Sequence, residues 1–469
     1  IRRKGVVLMR ELSLHEVAAA CGGEVIGGPV QTRVTSAVTD SRRCAPGALF
    51  IALRGEKTDG HEFVRAAFAA GASAALVRRG WFLTERDPLP GPCVLTEDPL
   101  TALGKLGEWA RRQADIPVVG VTGSTGKTTT REMLGLLLRL RHNPLVSPAN
   151  LNTEIGVPLT LLELNESHDC AVIEVAMRGR GQIAGLCRIA RPTAGLITNI
   201  GVSHLELLGS REAIAAAKAE LLESLPSGAW SVLPADDDFA EFLRAKAPGP
   251  VITFGTSPEA DFRVEDLSLD GKGCARFTLV RGGCGVPVRL SVPGEFHALN
   301  AAAAVAAAAR FGVTVEEAAA ALSGYEGFDR RSRILRAPGG WTVFDDTYNA
   351  SPEAMVGALR GLGAMDTPGR KIAVLGDMRE LGDACRPEHE RAGRAVTEAA
   401  PDVLVTVGED SRIIRQAALE SGFRGETHHF AASADAAEFL TGEVRPGDLV
   451  LVKGSRALEM ERVVERLVG

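Results

Sequence analysis

An α/β fold of three domains, with mostly parallel sheets, is predicted by three features. The chain has 469 residues, room for about three domains of ordinary size. Strand-like apolar runs alternate with helical ones almost throughout, the pattern of parallel sheets with crossover helices. A glycine-rich turn at 116–130, IPVVGVTGSTGKTTT, sits between an apolar run and a helical segment.

Residues 1–113 are rich in turns and are read as a first domain, with an alanine-rich helix at Val64–Ala70 that Gly71 ends. The basic helix around Trp109–Arg112, followed by Pro117, marks the boundary to a central domain at 114–327. That domain opens with a strand at Ile116–Val121, the glycine turn, and a helix over Arg131–Leu140. Further strands are read at CAVIEVAM (170–177) and AGLITNI (194–200), and an alanine helix at Ala301–Arg310. Alanine favours helix and permits tight contact with a sheet. After the turn-rich GYEGFDRRSR (324–333), a fresh alternation at 328–469 predicts a Rossmann-like domain of four parallel strands: WTVFDD, KIAVLGDM, DVLVTVG and DLVLVKGS. Ligands bind at the C-terminal ends of such strands.

Composition excludes several classes. A net charge of −6 argues against a nucleic-acid partner, which calls for a basic face. No apolar run approaches the roughly 20 residues needed to span a bilayer, so no membrane insertion is expected. The basic start IRRKG is followed by only a short apolar patch before Arg10 and Glu11, so no secretory leader is expected. Met9 is read as a start, with the first eight residues an upstream extension. The 8 cysteines are scattered without a C-x-x-C pair, as in a reducing, cytoplasmic setting.

The glycine turn is a phosphate-binding loop. Gly123, Ser124, Thr125 and Gly126 let backbone N–H groups approach phosphates, Lys127 reaches the β/γ oxygens, and Thr128 offers a hydroxyl to Mg²⁺, with Thr129 behind it. Val121 stands where the first glycine of the general pattern falls, a variant seen in one group of ATP-dependent amide ligases. Glu174 ends an apolar run and is placed either to bind magnesium or to serve as a capped or paired carboxylate. His204, in TNIGVSHLELLGS, follows another strand on the same sheet edge, as metal ligand, phosphate contact or structural ring. Lys218, in AIAAAKAELLESL, reads by itself as a solvated helical lysine. Asn300 either reads an adenine edge or caps the alanine helix. In DDTYNASPEAM, Asp345 and Asp346 are placed for a ribose hydroxyl or magnesium, and Asn349 and Ser351 are equally compatible with turn chemistry.

Together these motifs resemble the Mur ligases, and most closely their D-alanyl-D-alanine-adding branch. The likeness runs from TDSR, GALFIALRG and DGHEF (39–63) through GVTGSTGKTTT, NLNTEIGVPLTLL (150–162), EVAMRGRGQI and ITNIGVSHLELLGS. It continues through DDTYNASPEAM, VLGDMRELG (374–382) and LVKGSR (451–456). A sister branch that adds a single amino acid carries a DYAH-like segment and an Asn-Pro-Arg acceptor motif, and neither occurs here. A folylpolyglutamate-synthetase-like ligase gives no reason for TDSR and DGH. A GTPase lacks its Asn-Lys-x-Asp signature.

The resemblance implies an ATP-dependent, ADP-forming ligase of the cytoplasm, expected to be monomeric. It joins UDP-N-acetylmuramoyl tripeptide to D-Ala-D-Ala through an acyl phosphate in peptidoglycan synthesis. It implies that Asp40, Ser41, Arg42 and His61 hold the UDP part, and that Asn152, Thr153 and Asn349 contact substrate. Thr128, Glu174, His204 and Lys218 would serve two Mg²⁺, with Lys218 carbamylated. Asn300 would read adenine, Asp346 the ribose, and Arg331 or its rival Arg333 the γ-phosphate. Two departures from the family pattern stand out: Phe296–His297 replaces a common His-Asn, and Thr153 a common asparagine.

Overall fold

The computed structural model describes residues 7–55, 57–85, 87–148 and 150–469. Residues 1–6, most of the expected upstream extension, lie outside the described residues. Three sheets account for the described strands.

The first sheet has six strands, in the spatial order Val7–Ser13, Arg33–Val38, Ala48–Ile51, Ala74–Arg78, Cys93–Thr96 and Glu24–Ile26. The inner four are parallel and both edges antiparallel. Continuous apolar runs such as ALFI and CVLT are buried along their whole length, as strands covered on both faces must be. Helix Leu14–Cys21 starts at a Ser13/Glu16 capping box and packs with Pro99–Arg112 on one face. Leu159 and Leu162, from the segment after the phosphate loop, join that same core. The expected alanine helix is Val64–Ala69, and Gly71 follows it with φ 103°.

The central sheet has nine strands. Seven are parallel, in the order Pro144–Val146, Cys170–Glu174, Val118–Thr122, Ala194–Ile197, Ser231–Pro234, Val251–Gly255 and Phe262–Leu269. Cys274–Arg281 and Cys284–Pro293 extend it antiparallel. That extension was not foreseen from the sequence, because its strands alternate buried and exposed residues and contain no long apolar run. The alanine helix, His297–Ala308, is buried between Met133–Leu138 of the loop helix and these strands. The opposite face carries helices Gln182–Ala190 and Arg211–Glu223.

Register places the site. Val121 pairs with Glu174, and Thr122 with Ile197, so the strand ends leading to the phosphate loop, Glu174 and His204 stand side by side.

The last sheet contains the four expected parallel strands, here Thr342–Asp346, Leu449–Lys453, Lys371–Gly376 and Val403–Val407. Two edge strands were missed: antiparallel Arg333–Arg336 and parallel Glu426–Phe430. Both are only partly buried, so neither carries the apolar run that marks an inner strand. Val202, from the central segment, packs against the core of this last unit.

Candidate active site

The phosphate loop is shaped by two glycines. Gly123 has φ 149° and Gly126 φ 76°. A Cβ at Gly123 would lie 1.8 Å from Thr198 Oγ1, and one at Gly126 would lie 2.2 Å from Asn300 Oδ1. Neighbours brace the loop: Thr125 N donates to Asn199 Oδ1 (3.0 Å) and Gly201 N to Ser124 Oγ (2.8 Å). Helix Lys127–Leu138 starts directly after it, so free N–H groups and the positive helix end face the cleft. Lys127 Nζ donates to the carbonyls of Gly123 (2.7 Å) and Ser124 (3.0 Å). Burial pulls its pKa down to about 8; Glu174 opposes that shift, while Arg331 adds to it.

Lys218 is the clearest correction to the residue-by-residue reading. It is 2% exposed, not solvated, and its Nζ donates to the same Gly123 carbonyl at 2.9 Å. Burial, and then the neighbouring Lys127, hold its pKa well below the usual lysine value.

Glu174 is fully buried and bound on both oxygens. Oε2 accepts from Thr128 Oγ1 (3.0 Å) and Arg131 Nη1 (2.9 Å), and Oε1 from Asn152 Nδ2 (2.7 Å). Sequence reasoning missed Arg131, which is also fully buried and pairs with Glu132 at 2.5 Å. Asn152, expected at the substrate, here orients the carboxylate. Thr153 lines the cleft nearby.

His204 lines the same cleft as Glu174 and reaches toward the last unit. It has φ 67°, and its Nδ1 lies 2.5 Å from Glu380 Oε2 of the last unit. Burial lowers its pKa, opposed by Glu380. Glu206 N also donates to Glu380 O (3.3 Å), so this segment ties the central sheet to the last one. The hydroxyl and carboxylate of Thr128 and Glu174 are hard oxygen donors that suit magnesium. Of the other expected ligands, His204 is engaged by Glu380 and Lys218 Nζ by the Gly123 carbonyl, and the Lys218 charge acts on His204.

A cleft of about 2810 Å³ separates the loop from a facing wall. Asn300 lines it; Thr130 Oγ1 lies 3.4 Å from Asn300 Oδ1, while Nδ2 is buried without a partner among the described residues. One turn earlier on the same helix, His297 is 2% exposed and neither ring nitrogen has a hydrogen-bond partner among the described residues. Burial takes its pKa down to about 4, an effect that Asp346 opposes. Arg331 lines the cleft with its guanidinium 3.9 Å from the centre of the Tyr348 ring. Arg333 is exposed and reaches Asp329 at 3.5 Å. Asp346 takes Lys453 Nζ (2.6 Å) and Ser332 N (3.0 Å), and Lys453 also donates to Asn349 O (3.0 Å). Lys453, in the KGSR motif, was not singled out from sequence. Asp345 turns away from the cleft to bind Thr347.

The TDSR and DGH residues lie apart from this cleft. Arg42 donates to both oxygens of Asp40 (2.9 and 2.8 Å), and Ser41 opens the short turn between them. His61, expected at the UDP end, is tied into the fold. Its Nδ1 meets Asp59 Oδ1 at 2.5 Å and its Nε2 accepts from Arg78 N at 2.9 Å, which leaves no ring nitrogen for a ligand.

Comparisons with known proteins agree with this layout. The chain matches the models for the Mur ligase family catalytic domain (33–84), the Mur ligase middle domain (121–308) and the Mur ligase glutamate ligase domain (330–456). It is 34% identical to UDP-N-acetylmuramoyl-tripeptide–D-alanyl-D-alanine ligase of Bacillus subtilis, over 93% of this chain and 94% of that protein. It is 38% identical to the protein of the same name from Synechocystis, over 93% and 92%. The crystal structure of MurF from Acinetobacter baumannii superposes with a TM-score of 0.86 at 32% identity, covering 98% of this chain and 100% of that one. MurF ligase of Thermotoga maritima, in complex with ADP, gives 0.77 at 30% identity, over 92% and 96%. The chain belongs to the Mur ligase family.

Proposed function

We propose that this chain is the ATP-dependent ligase that joins D-Ala-D-Ala to UDP-N-acetylmuramoyl tripeptide in peptidoglycan precursor synthesis. The observation that carries this is a single cleft holding a braced phosphate loop, in a chain similar end to end to ligases of that name. The loop amides and Lys127 bind the β/γ phosphates of ATP, exchanging the carbonyls that Lys127 now holds for phosphate oxygens. The terminal carboxylate of the tripeptide attacks the γ-phosphorus and ADP leaves. The amine of D-Ala-D-Ala then attacks the acyl carbon, forming the amide and releasing phosphate. Two anions must meet in the first step, so neutralising their charge is the main task of the site.

Magnesium, when bound, supplies part of that neutralisation. Thr128 and Glu174 are the residues that would hold it, and His204 with a carbamylated Lys218 would serve a second ion. Burial and the neighbouring Lys127 disfavour the ammonium of Lys218 and so favour the neutral amine, the form that adds carbon dioxide and becomes an anion. Asn300 reads the adenine, Asp346 the ribose and Arg331 the γ-phosphate, since Arg331 lines the cleft and Arg333 does not. Asp40, Ser41 and Arg42 hold the UDP end, and Thr153 and Asn349 the peptide. Residues 1–113, 114–327 and 328–469 then act as UDP-substrate, ATP and dipeptide domains of a cytoplasmic monomer. No helix among the described residues is long and apolar enough to cross a membrane.

Phosphate release tests the acceptor. With UDP-muramoyl tripeptide and Mg-ATP, D-Ala-D-Ala should stimulate it strongly. D-Glu, L-Lys and diaminopimelate should do little, because their extra charge is buried without a partner. Release driven by lysine or diaminopimelate on a UDP-muramoyl dipeptide would replace this reading with that of the single-amino-acid branch.

A further inference from the structure

Glu353 stands in the first turn of helix Pro352–Ala364, directly after the DDTYNAS segment, and lines the cleft from the side of the last sheet. Its carboxylate lies over Gly201 of the central segment: a Cβ on that glycine would come 3.4 Å from Cδ and from both oxygens. Gly201 N in turn donates to Ser124 Oγ of the phosphate loop at 2.8 Å. The carboxylate is therefore two contacts away from the loop, across the seam between the two units.

Oε2 of Glu353 is shut off from solvent and takes no hydrogen bond among the described residues. The charged groups that face it are Glu388, Arg391 and Arg211. Both arginines are engaged elsewhere: Arg391 with Glu388 (3.2 Å), and Arg211 with Asp238 (2.7 Å) and the Ile200 carbonyl (3.2 Å). A carboxylate oxygen buried without a donor opposes folding unless something else supplies the donor. An ammonium arriving in the cleft is such a donor.

We propose that Glu353 is the base that takes a proton from the ammonium of the incoming acceptor. This rests on the ligase reading above. The ammonium passes one proton to Glu353, leaving a neutral amine and a carboxylic acid. The amine nitrogen forms its bond to the acyl carbon, and the carbon–oxygen bond to phosphate breaks with its electron pair on the phosphate. The second amine proton leaves with the phosphate, and Glu353 returns its own to solvent. Burial raises the carboxyl pKa, opposed by the helix N–H and by Arg391 and Arg211, which makes it a better proton acceptor than an exposed glutamate.

The test compares two nucleophiles in the intact enzyme with UDP-muramoyl tripeptide and Mg-ATP. Hydroxylamine is largely neutral near pH 7.5 and needs no base, whereas D-Ala-D-Ala arrives mostly protonated. Glu353→Gln should slow amide formation with D-Ala-D-Ala by about 10²-fold or more, the usual scale of general-base loss. It should leave acyl-hydroxamate formation within about twofold to threefold of wild type. Its residual rate with the dipeptide should climb with pH toward the amine's own pKa of about 8, where wild type is already level. Glu353→Asp should lie between the two.

An unchanged rate with D-Ala-D-Ala would overturn the assignment. So would equal loss of both products, which marks a structural role at the seam, or a loss that stays constant with pH, which marks simple attraction of the ammonium. If wild type itself forms neither product, the ligase reading fails instead.

Discussion

The loop wall of the cleft and the rest of its lining treat their buried polar groups in opposite ways. On the loop wall, Lys127 and Lys218 share the Gly123 carbonyl, and Glu174 is held by Thr128, Arg131 and Asn152. Elsewhere in the lining, both ring nitrogens of His297 and Asn300 Nδ2 on the alanine helix, Arg331 Nε and Glu353 Oε2 are buried without a hydrogen bond among the described residues. The loop wall is organised before any ligand binds, so its ligands exchange contacts and catalytic groups are already oriented. The rest of the lining is completed by what binds there. Substitutions on the loop wall should act on rate, as should those at Glu353, whereas those at His297, Asn300 and Arg331 should act on affinity and on the stability of the free protein.

The largest break in that contrast is expected at Lys218. Lys218→Ala should be folded yet without turnover, and added formate or acetate should restore part of it by supplying the missing anion. Lys218→Arg should stay inactive, because a guanidinium keeps positive charge beside Lys127. A fully active arginine variant would remove the carbamate from the account. Lys127→Ala comes next, with turnover reduced about 10²–10³-fold, the scale of one lost electrostatic contact to the transition state. UDP-substrate affinity, measured by calorimetry, should not change.

His297 probes the unpartnered part of the lining through pH. Its pKa is about 4 in the folded chain against an ordinary 6.5, so the unfolded chain takes up a proton first as pH falls. Stability is therefore lost between about pH 6.5 and 4, by about 3 kcal/mol from this ring. His297→Phe should remove that loss in urea titrations of the free protein and weaken ATP binding. The smallest effect separates neighbours: Arg331→Ala should raise the KM for ATP about tenfold, as for one lost charged hydrogen bond, while Arg333→Ala should match wild type. The reverse order would assign the γ-phosphate to Arg333.

What was legible in the sequence follows from how local each signal is. The loop, Glu174 and the alanine helix carry theirs within a few residues of chain, and register then aligned the strand ends as expected. Arg131 was not legible, since REMLGLLLRL gives no hint that an arginine on the helix turns inward to a partner 43 residues away. The His204–Glu380 contact joins residues 176 positions apart on different sheets. His61 fits the expected motif, yet the Arg78 N–H that occupies its second nitrogen is a backbone group with no sequence signature. Lys218 shows the converse: by itself it reads as an ordinary helical lysine, and only the packed loop above it reveals the burial.

Nucleotide turnover with each substrate withheld in turn tests most directly whether the cleft is one ligase site with a prepared loop wall. With Mg-ATP and UDP-muramoyl tripeptide alone, ADP should appear to about one equivalent per enzyme and stop; adding D-Ala-D-Ala should convert this into continuous release of ADP and phosphate in equal amounts. Continuous hydrolysis of ATP in the absence of the tripeptide, or indifference to the dipeptide, would contradict it.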